Sequence, residues 1–488
     1  MSRCGNDTSS TDSSFWTGVR PKSSYPLLLA LIGWIWGSCA VGLISSNDGS
    51  HLALTRSLAL RHEAALGDEA PLTLRVDLAR RDGTLYSDRP PGTAMLAAPA
   101  VWFGAKLDPL LGARSRAERR VSQAPAGPDF AHTYRVRAPK ARLLLDLQGS
   151  SILASVHVGC LGLLTLVLLG LRLRAVRTSE AIIAFSVAAL GLASLLGPYA
   201  ITLFGHVPAA FAVSLVYWSG ERFEASRIAD RGPRVRAGFI FGLAAGLAVV
   251  TDYLLVVPVA AFTVARLRRD LLAPYLGGMI VFGGGAAVYH TLAFGAPWAI
   301  GYDFHTNFEF AKSRATTFSG DIFGGFMMLA GFDDGGVGSM SPLWFLGFVA
   351  FFWTKDSDVP RWKRWIERAG WCLWILALAK HRTPMGGAFH DHRYLIPILP
   401  VLAFDLGCLM SRITGERVRR MWTLIPVLAI ASVIGTWSYV FEMRRIPLLT
   451  GSVTMWVLAL AGALLGLLLV ARRGDGPTVR KIPSDSEA

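Results

Sequence analysis

Charge is scarce in this chain of 488 residues, because only 17% of them are Asp, Glu, Lys or Arg. A soluble globular chain carries about 25% charged residues, so this scarcity argues against one. Cysteine is also scarce: the five residues form no CxxC pair, and neither a disulfide framework nor a zinc site follows from their spacing. The glycine-rich segment 332–342 lacks a following GK[ST], which excludes a nucleotide-binding loop there.

Long apolar runs are what the chain has in abundance. Hydrophobic residues make up 52% of it, and the mean hydropathy is +0.42. Several runs reach the roughly 20 apolar residues that cross a hydrocarbon core. The net charge of +15 lies in short basic clusters between these runs. That distribution is typical of the positive-inside bias and of anionic lipid contact, so we predict a membrane-lipid partner and no nucleic-acid partner.

The pattern predicts an all-α polytopic membrane protein of about 12 transmembrane helices. Placing every basic cluster in the cytoplasm gives a self-consistent topology with both chain ends inside. No small-residue cleavage site follows the first run, so we predict that it is retained as a helix. The predicted spans are 25–45, 148–171, 181–199, 205–219, 237–250, 253–265, 272–293, 341–354, 370–380, 394–411, 421–441 and 452–471.

This topology divides the chain into a transmembrane domain at 25–471 and cytoplasmic polar tails at 1–24 and 472–488. The short runs 237–250 and 253–265 leave two alternatives open, a tilted pair of helices or a re-entrant hairpin.

Two long loops are predicted on the external side, at 46–147 and 294–340. The first contains HLALTRSLALRHEAAL and PPGTAMLAAPAVWFGAKL, in which apolar residues recur at helical spacing. Both segments are too polar or too interrupted to cross a bilayer. We therefore expect them to form helices lying in the membrane interface.

The stretch YSDRPPGTAMLAAP (86–99) combines an acid, a base and two prolines just before an apolar run. The prolines set the entry into the helix, so that Asp88 and Arg89 lie at its N-terminus. A guanidinium beside a helix N-terminus suits a phosphate group. The alternative, equally weighted, is that Arg89 pairs only with Asp88 or a lipid phosphate and that Pro-Pro is a turn.

Three motifs, all on the predicted external side, carry a resemblance to a known class. They are NDGSHLALTRSLA (47–59), YSDRPPGTAMLAAP (86–99) and HDHRYLIPILP (390–400). In this order they resemble the membrane glycosyltransferases of the GT-C class, and within it the protein O-mannosyltransferases and the aminoarabinose transferase of lipid A. The likeness covers roughly residues 25–410.

The resemblance implies a GT-C fold and sugar transfer from a polyprenyl-phosphate donor. The acceptor would be a glycan, a lipid or a protein at the outer face of a bacterial plasma (inner) membrane. Such an enzyme inverts at the anomeric carbon by direct displacement, which needs an external carboxylate as base and cations near the departing phosphate. It also implies an apolar groove for the isoprenoid chain.

Asp48, directly after the first helix, is the predicted base. Asn47 stands where related enzymes often carry another acid, which leaves the identity of the base open by one residue. The alternative is that Asn47 or Asp48 caps the helix starting near Gly49. His206 is a further candidate for sharing the acceptor proton or bonding a sugar or phosphate, against an ordinary capping or packing role.

Two arginines are the predicted phosphate ligands: Arg89 first, then Arg393 together with Tyr394. Sugar or acceptor contacts are predicted from both external loops. In segment 301–320 the alternative is an interfacial aromatic belt without a ligand. The predicted sugar or acceptor residues are Arg56, Tyr86, Asp88, Asp303, His305 and Asn307.

The HDH sequence at 390–392 contains residue types that bind divalent ions. Adjacent side chains point in different directions, however, and no second cluster completes a site, so no cofactor is predicted and a divalent metal stays the alternative. A transporter or flippase of lipid-linked sugars is the competing function, since it would have a similar helix count. The concentration of polar motifs in external loops favours the enzyme.

Overall fold

In the computed structural model of this protein the described residues are 24–38, 45–111, 147–226, 230–331, 335–354, 360–386, 391–412 and 416–444. The predicted span 452–471, the predicted C-terminal tail, residues 1–23 and His390 lie outside these ranges.

The described chain is almost wholly helical, and this confirms the predicted fold class. Fourteen of its α-helices have eight or more residues and are numbered in chain order. They are α1 (Ser24–Ser38), α2 (Ser46–Arg56), α3 (Gly92–Leu111), α4 (Gln148–Ala175), α5 (Glu180–Leu192), α6 (His206–Ala225), α7 (Arg231–Thr251), α8 (Val256–Arg266), α9 (Leu272–Phe294), α10 (Ile322–Ala330), α11 (Leu343–Trp353), α12 (Arg361–Lys380), α13 (Leu399–Arg412) and α14 (Glu416–Arg444).

Shorter helical turns connect these helices. They are the α-helical turns Leu196–Ala200, Arg314–Thr317 and Val337–Met340, the π-helical turn Ser57–Arg61, and the 3-10 turns Gly67–Thr73, Tyr253–Leu255, Arg269–Leu271, Gly301–Phe304, Glu309–Ala311 and Arg393–Ile398.

Four helical segments are long and apolar enough to cross a membrane: Gln148–Ala175, Arg231–Thr251, Arg269–Phe294 and Arg393–Arg412. Shorter apolar helices, such as α1, α5 and α11, accompany them. The protein is therefore a multi-pass membrane protein, while the number of 12 spans stays a prediction. The two short predicted runs at 237–250 and 253–265 are separate helices, α7 and α8, and the chain breaks between them at Asp252.

The loop at 46–147, which is predicted to be external, begins with α2, and its last described helix is α3. The second predicted helix forms as α3, whereas the first is α2 with the π-helical turn after it and ends at Arg61; their position in the membrane interface stays a prediction. Between α2 and α3 the chain makes a β-hairpin that the sequence analysis did not anticipate, with β1 (Ala79–Arg81) antiparallel to β2 (Thr84–Tyr86). Asp82 and Gly83 turn the hairpin with positive φ angles of 47° and 79°. Such angles suit an Asp-Gly pair at a two-residue hairpin turn. The Asp88–Arg89 segment follows the hairpin almost directly in the chain.

The hairpin also joins the two external loops to each other. The backbone N–H of Thr306 donates to the carbonyl of Leu78 at 2.9 Å, and Ala79 forms an isolated bridge with His305. The amide side chain of Asn307 donates to the carbonyls of Arg75 and Val76 at 2.7 and 2.8 Å. Residues far apart in the sequence are thereby brought to one side of the helical core.

Glycine permits the close docking of α3 on the transmembrane helices. A methyl group at Gly92, directly after the two prolines, would lie 2.5 Å from the carbonyl oxygen of Val250 in α7. One at Gly104 would lie 2.5 Å from the carbonyl oxygen of Gly149 in α4. Small residues of this kind let helix backbones approach closely. The glycine of the Arg-Pro-Pro-Gly sequence is therefore a packing residue that holds the preceding Asp88–Arg89 segment against the core.

Candidate functional site

Arg89 lies at the centre of a largely buried polar cluster, shortly after the β-hairpin in the chain. Its guanidinium forms an ion pair with Asp77, and its Nε lies 3.4 Å from Oδ1 of Asp88. The Asp88 side chain is only 1% exposed and that of Arg89 15%. An arginine held between two carboxylates has its guanidinium fixed in direction, which is the condition for orienting a bound anion.

Asp88 also contacts polar groups from two other parts of the chain. Ser50 donates its hydroxyl to Asp88 Oδ1 at 3.3 Å, and His305 Nε2 lies 3.4 Å from Asp88 Oδ2. Burial alone would raise the pKa of Asp88, but Arg89 and His305 hold that pKa below its usual value. Asp88 is therefore ionised at neutral pH.

Arg89 stays a cation in this environment. Burial by itself would lower the pKa of its guanidinium, but Asp77 and Asp88 raise that pKa well above the usual range. His51 behaves in the opposite way: burial, and then the positive charge of Arg89, lower its pKa to about 3. His51 is therefore neutral, and its Nδ1 has no hydrogen-bond partner within the part of the chain that the structure describes.

Arg393 supplies a second buried guanidinium. Its Nη1 donates to Asp391 Oδ1 at 3.0 Å, and the hydroxyl of Tyr199 donates to the other oxygen of that carboxylate at 2.6 Å. The ring of Tyr394 lies 5.2 Å from the Arg393 guanidinium carbon. Arg393 is thus held by a carboxylate on one side and an aromatic face on the other.

The charges of both arginines act electrostatically on the same two side chains, Tyr394 and His206. The rings of His206 and Tyr394 lie 5.2 Å apart in an edge-to-face arrangement. Thus Arg89, Arg393, Tyr394 and His206, which span more than 300 positions of the sequence, belong to one cluster. Their individual roles stay predictions.

Asp48 and Asn47 lie at the start of α2. Ser45 is the N-cap residue; its backbone N–H and its hydroxyl both donate to Asp48 Oδ1, at 2.8 and 3.2 Å. The backbone N–H of Asp48 in turn donates to the Ser45 hydroxyl at 3.3 Å. This is a capping box, so Asp48 contributes to the start of the helix. A capping carboxylate can also accept a proton, and the role of Asp48 as base stays a prediction.

Arg56 lies in a network that ties the first external loop to α4. Its Nε donates to both oxygens of Glu69 at 3.0 Å, and its Nη1 donates to Asp108 at 3.0 Å. The same Nη1 donates to the Ser150 hydroxyl at 2.6 Å. Through these contacts Arg56 connects α2, α3 and α4.

Of the remaining predicted sugar or acceptor residues, some lie in the polar cluster and others have contacts outside it. His305 contacts Asp88, whereas Asp303 caps its own 3-10 turn and pairs with Arg314 at 2.8 Å. Tyr86 packs edge-on against Phe294, with ring centroids 5.6 Å apart. Asn307 binds the backbone of the first external loop, as described above.

Sequence analysis missed several residues of this cluster. Asp77 is an isolated polar residue of the loop at 46–147, with no motif to distinguish it, whereas His51 lies within the motif NDGSHLALTRSLA but was not among the predicted site residues. Tyr253, Tyr289 and Tyr302 all lie near enough to Asp88 to interact electrostatically with it. The aromatic-rich composition of segment 301–320 was a usable signal for Tyr302 alone.

Asp77, Asp88 and His305 also form a geometrically possible metal site, since one ligand atom from each lies within 4.8 Å of the others. Carboxylates and imidazole are suitable ligands for divalent ions. Arg89, however, already forms ion pairs with both carboxylates. The guanidinium of Arg89 therefore supplies a positive charge between the carboxylates of Asp77 and Asp88.

The chain has the polytopic, helical membrane fold of ArnT, a glycosyltransferase of the GT-C type. A crystal structure of ArnT from Cupriavidus metallidurans bound to undecaprenyl phosphate is similar to it, with a TM-score of 0.52 and 15% sequence identity over 92% of this chain and 76% of ArnT. The apo structure of that ArnT matches 91% of this chain at 14% identity, with a TM-score of 0.49.

At such identities the likeness establishes the fold. A scan of protein-family models and a search of curated proteins give no match.

Proposed function

We propose that this protein is a membrane glycosyltransferase that transfers a sugar from a polyprenyl-phosphate donor to an acceptor at the outer face of a bacterial plasma membrane. The observation that carries the proposal is a polar cluster with two ion-paired arginines, the partly buried Arg89 and the buried Arg393, in which Arg393 lies against the ring of Tyr394 and Tyr394 packs edge-to-face on His206. The fold supports it, because the ArnT crystal structure with this fold contains undecaprenyl phosphate.

In this proposal Arg89 and Arg393 bind the phosphate of the donor. Each now pairs with a carboxylate, Arg89 with Asp77 and Asp88 and Arg393 with Asp391. A guanidinium has five N–H donors, so it can bond a carboxylate and a phosphate oxygen at the same time. As the sugar leaves, charge grows on the phosphate oxygens, and preoriented cations stabilise that charge.

The chemical step is a direct displacement at the anomeric carbon. A bond forms from the acceptor oxygen to that carbon as the bond from the carbon to the phosphate oxygen breaks, and the configuration inverts. The acceptor loses a proton, for which we propose Asp48 as the base. Asp48 lies at the start of α2, in the same helix as His51. It belongs to the same loop as the Asp77–Arg89 ion pair.

The test is sugar transfer in membranes from a radiolabelled polyprenyl-phosphate sugar, by wild type and Asp48→Asn at matched protein levels. The amide oxygen of Asn still accepts from Ser45, so the capping interaction remains while the base is lost. We expect transfer to fall by about 10²–10⁴-fold, the usual contribution of general base catalysis. Ser45→Ala is the control: it removes the cap hydroxyl and about 1 kcal/mol of stability but keeps the carboxylate and the transfer.

Transfer by Asp48→Asn at the wild-type rate would move the base to another group, with Asp88 and His206 the next to be substituted. Absence of transfer by wild type from every carrier tested would favour the transporter or flippase of lipid-linked sugars instead.

We propose that transfer needs no divalent metal, because Arg89 supplies the positive charge between Asp77 and Asp88. The expected result is an unchanged transfer rate after EDTA treatment of the purified protein. Loss of transfer with EDTA and its recovery with added Mg²⁺, Mn²⁺ or Zn²⁺ would assign the ion to Asp77, Asp88 and His305.

A further inference from the structure

A polar cavity lies at the opposite ends of the helices that form the candidate active site. Its volume is about 80 Å³, and its lining includes Arg172 at the end of α4 and Glu221 in the last turns of α6. His206, at the start of α6, belongs to the candidate active site, and 15 residues separate it from Glu221. At about 1.5 Å per helical residue the two sites are roughly 22 Å apart along the helix. The cavity is therefore a separate site near the other membrane face.

Two ion pairs form part of the cavity wall. Arg172 donates from Nε and Nη2 to Glu221, at 2.6 to 3.1 Å, and Arg266 pairs with Glu367. Both arginines are buried, with 4% and 6% exposure. Nε of Arg266 has no hydrogen-bond partner among the residues that the structure describes, but it lies 3.6 Å from the carboxylate of Glu224. Arg266 is therefore held between two carboxylates, those of Glu224 and Glu367.

Positive charge exceeds negative charge in this lining, with five arginines against two glutamates and one aspartate. Arg368 donates to the carbonyl oxygen of Thr354 at 2.7 Å, and Arg412 ends α13. Neither forms an ion pair within the described part of the chain. Asp405 accepts a hydrogen bond from the Thr354 hydroxyl at 2.8 Å. The cavity therefore keeps guanidinium donors for an anion after its internal pairs are formed.

We propose that this cavity binds a phosphate group, with Arg368 and Arg412 as its donors. Guanidinium groups are the preferred partners of phosphate because they form paired charge-assisted hydrogen bonds. Basic pockets between helices at a membrane surface bind the headgroups of anionic lipids. A lipid headgroup and a soluble phosphate present the same chemistry here, and the experiment separates these two sources.

The test uses the full-length protein purified in maltoside detergent, which contains no phosphate. Native mass spectrometry measures binding of dioleoyl phosphatidic acid, with dioleoylglycerol as the matched lipid lacking phosphate, and a thermal shift measures the effect of inorganic phosphate. Arg368→Gln and Arg412→Gln each leave the two internal ion pairs intact. Arg268→Gln is the control, because Arg268 forms a half-exposed pair with Asp270 and is not part of the cavity lining.

We expect wild type and Arg268→Gln to bind phosphatidic acid alike and in preference to dioleoylglycerol. Arg368→Gln and Arg412→Gln should each weaken this binding by about tenfold, the effect of losing one hydrogen bond between charged groups. A thermal shift with inorganic phosphate that both cavity variants abolish would instead identify a soluble ligand. Equal binding by all four proteins, or no binding by wild type in either assay, would overturn the proposal.

Discussion

Arg89→Gln is expected to reduce sugar transfer by about 10²–10³-fold, the usual effect of removing one preoriented donor from a developing negative charge. The same change leaves Asp77 and Asp88 without their common cation. A buried ion pair that loses one partner typically costs about 3–5 kcal/mol. We therefore expect a lower melting temperature in detergent as well, and transfer must be compared at matched amounts of folded protein.

Two further variants separate the structural effect of Arg89 from its effect on transfer. Arg89→Gln combined with Asp77→Asn removes one of the two orphaned charges, and should recover part of the lost stability without recovering transfer. Arg89→Lys keeps the charge but loses the forked geometry that contacts both carboxylates, so it should retain more transfer than Arg89→Gln. If the double variant regained stability and wild-type transfer together, Arg89 would have a structural role only.

Arg56→Gln is expected to lower the free energy of unfolding by about 3–5 kcal/mol, because Glu69 and Asp108 would remain buried without their cation. Exposure of the three side chains is 12%, 16% and 10%, so water screens them little. Thermal unfolding in detergent measures this effect. Lys312→Gln is the control, since its pair with Glu309 is exposed and should change stability by about 0.5 kcal/mol or less.

Transfer by Arg56→Gln, measured below its melting temperature, tests the sugar or acceptor role predicted for this residue. A loss of stability with the transfer rate per folded molecule unchanged would limit Arg56 to the connection between α2, α3 and α4. Loss of transfer with unchanged stability would contradict the structural role and support a contact with substrate.

The candidate site could be predicted from sequence only where its residues lie in recognisable motifs. Asp88 and Arg89 precede a Pro-Pro-Gly helix start, and Arg393 and Tyr394 open a late apolar helix, so both segments stood out. Asp77 carried no such signal, because its importance arises from its contact with Arg89 across the folded loop, and His51 was not selected although it lies within the motif NDGSHLALTRSLA. The alternative that Asn47 or Asp48 is the N-cap of a helix starting near Gly49 was wrong, because Ser45 is the N-cap and the helix begins at Ser46, with Asp48, the third residue of the helix, completing the capping box.

The sequence by itself determined the class of fold, since runs of apolar residues with few charges have no stable alternative to membrane helices. It also determined where α3 begins, because two prolines followed by glycine restrict the local backbone regardless of its surroundings. Only the tertiary structure decided which charged side chains form ion pairs with each other. The β-hairpin brings Asp77 to Arg89, and the Ala79–His305 bridge joins loops more than 200 residues apart. Such contacts depend on the packing of all the helices together, which no local pattern of residues encodes.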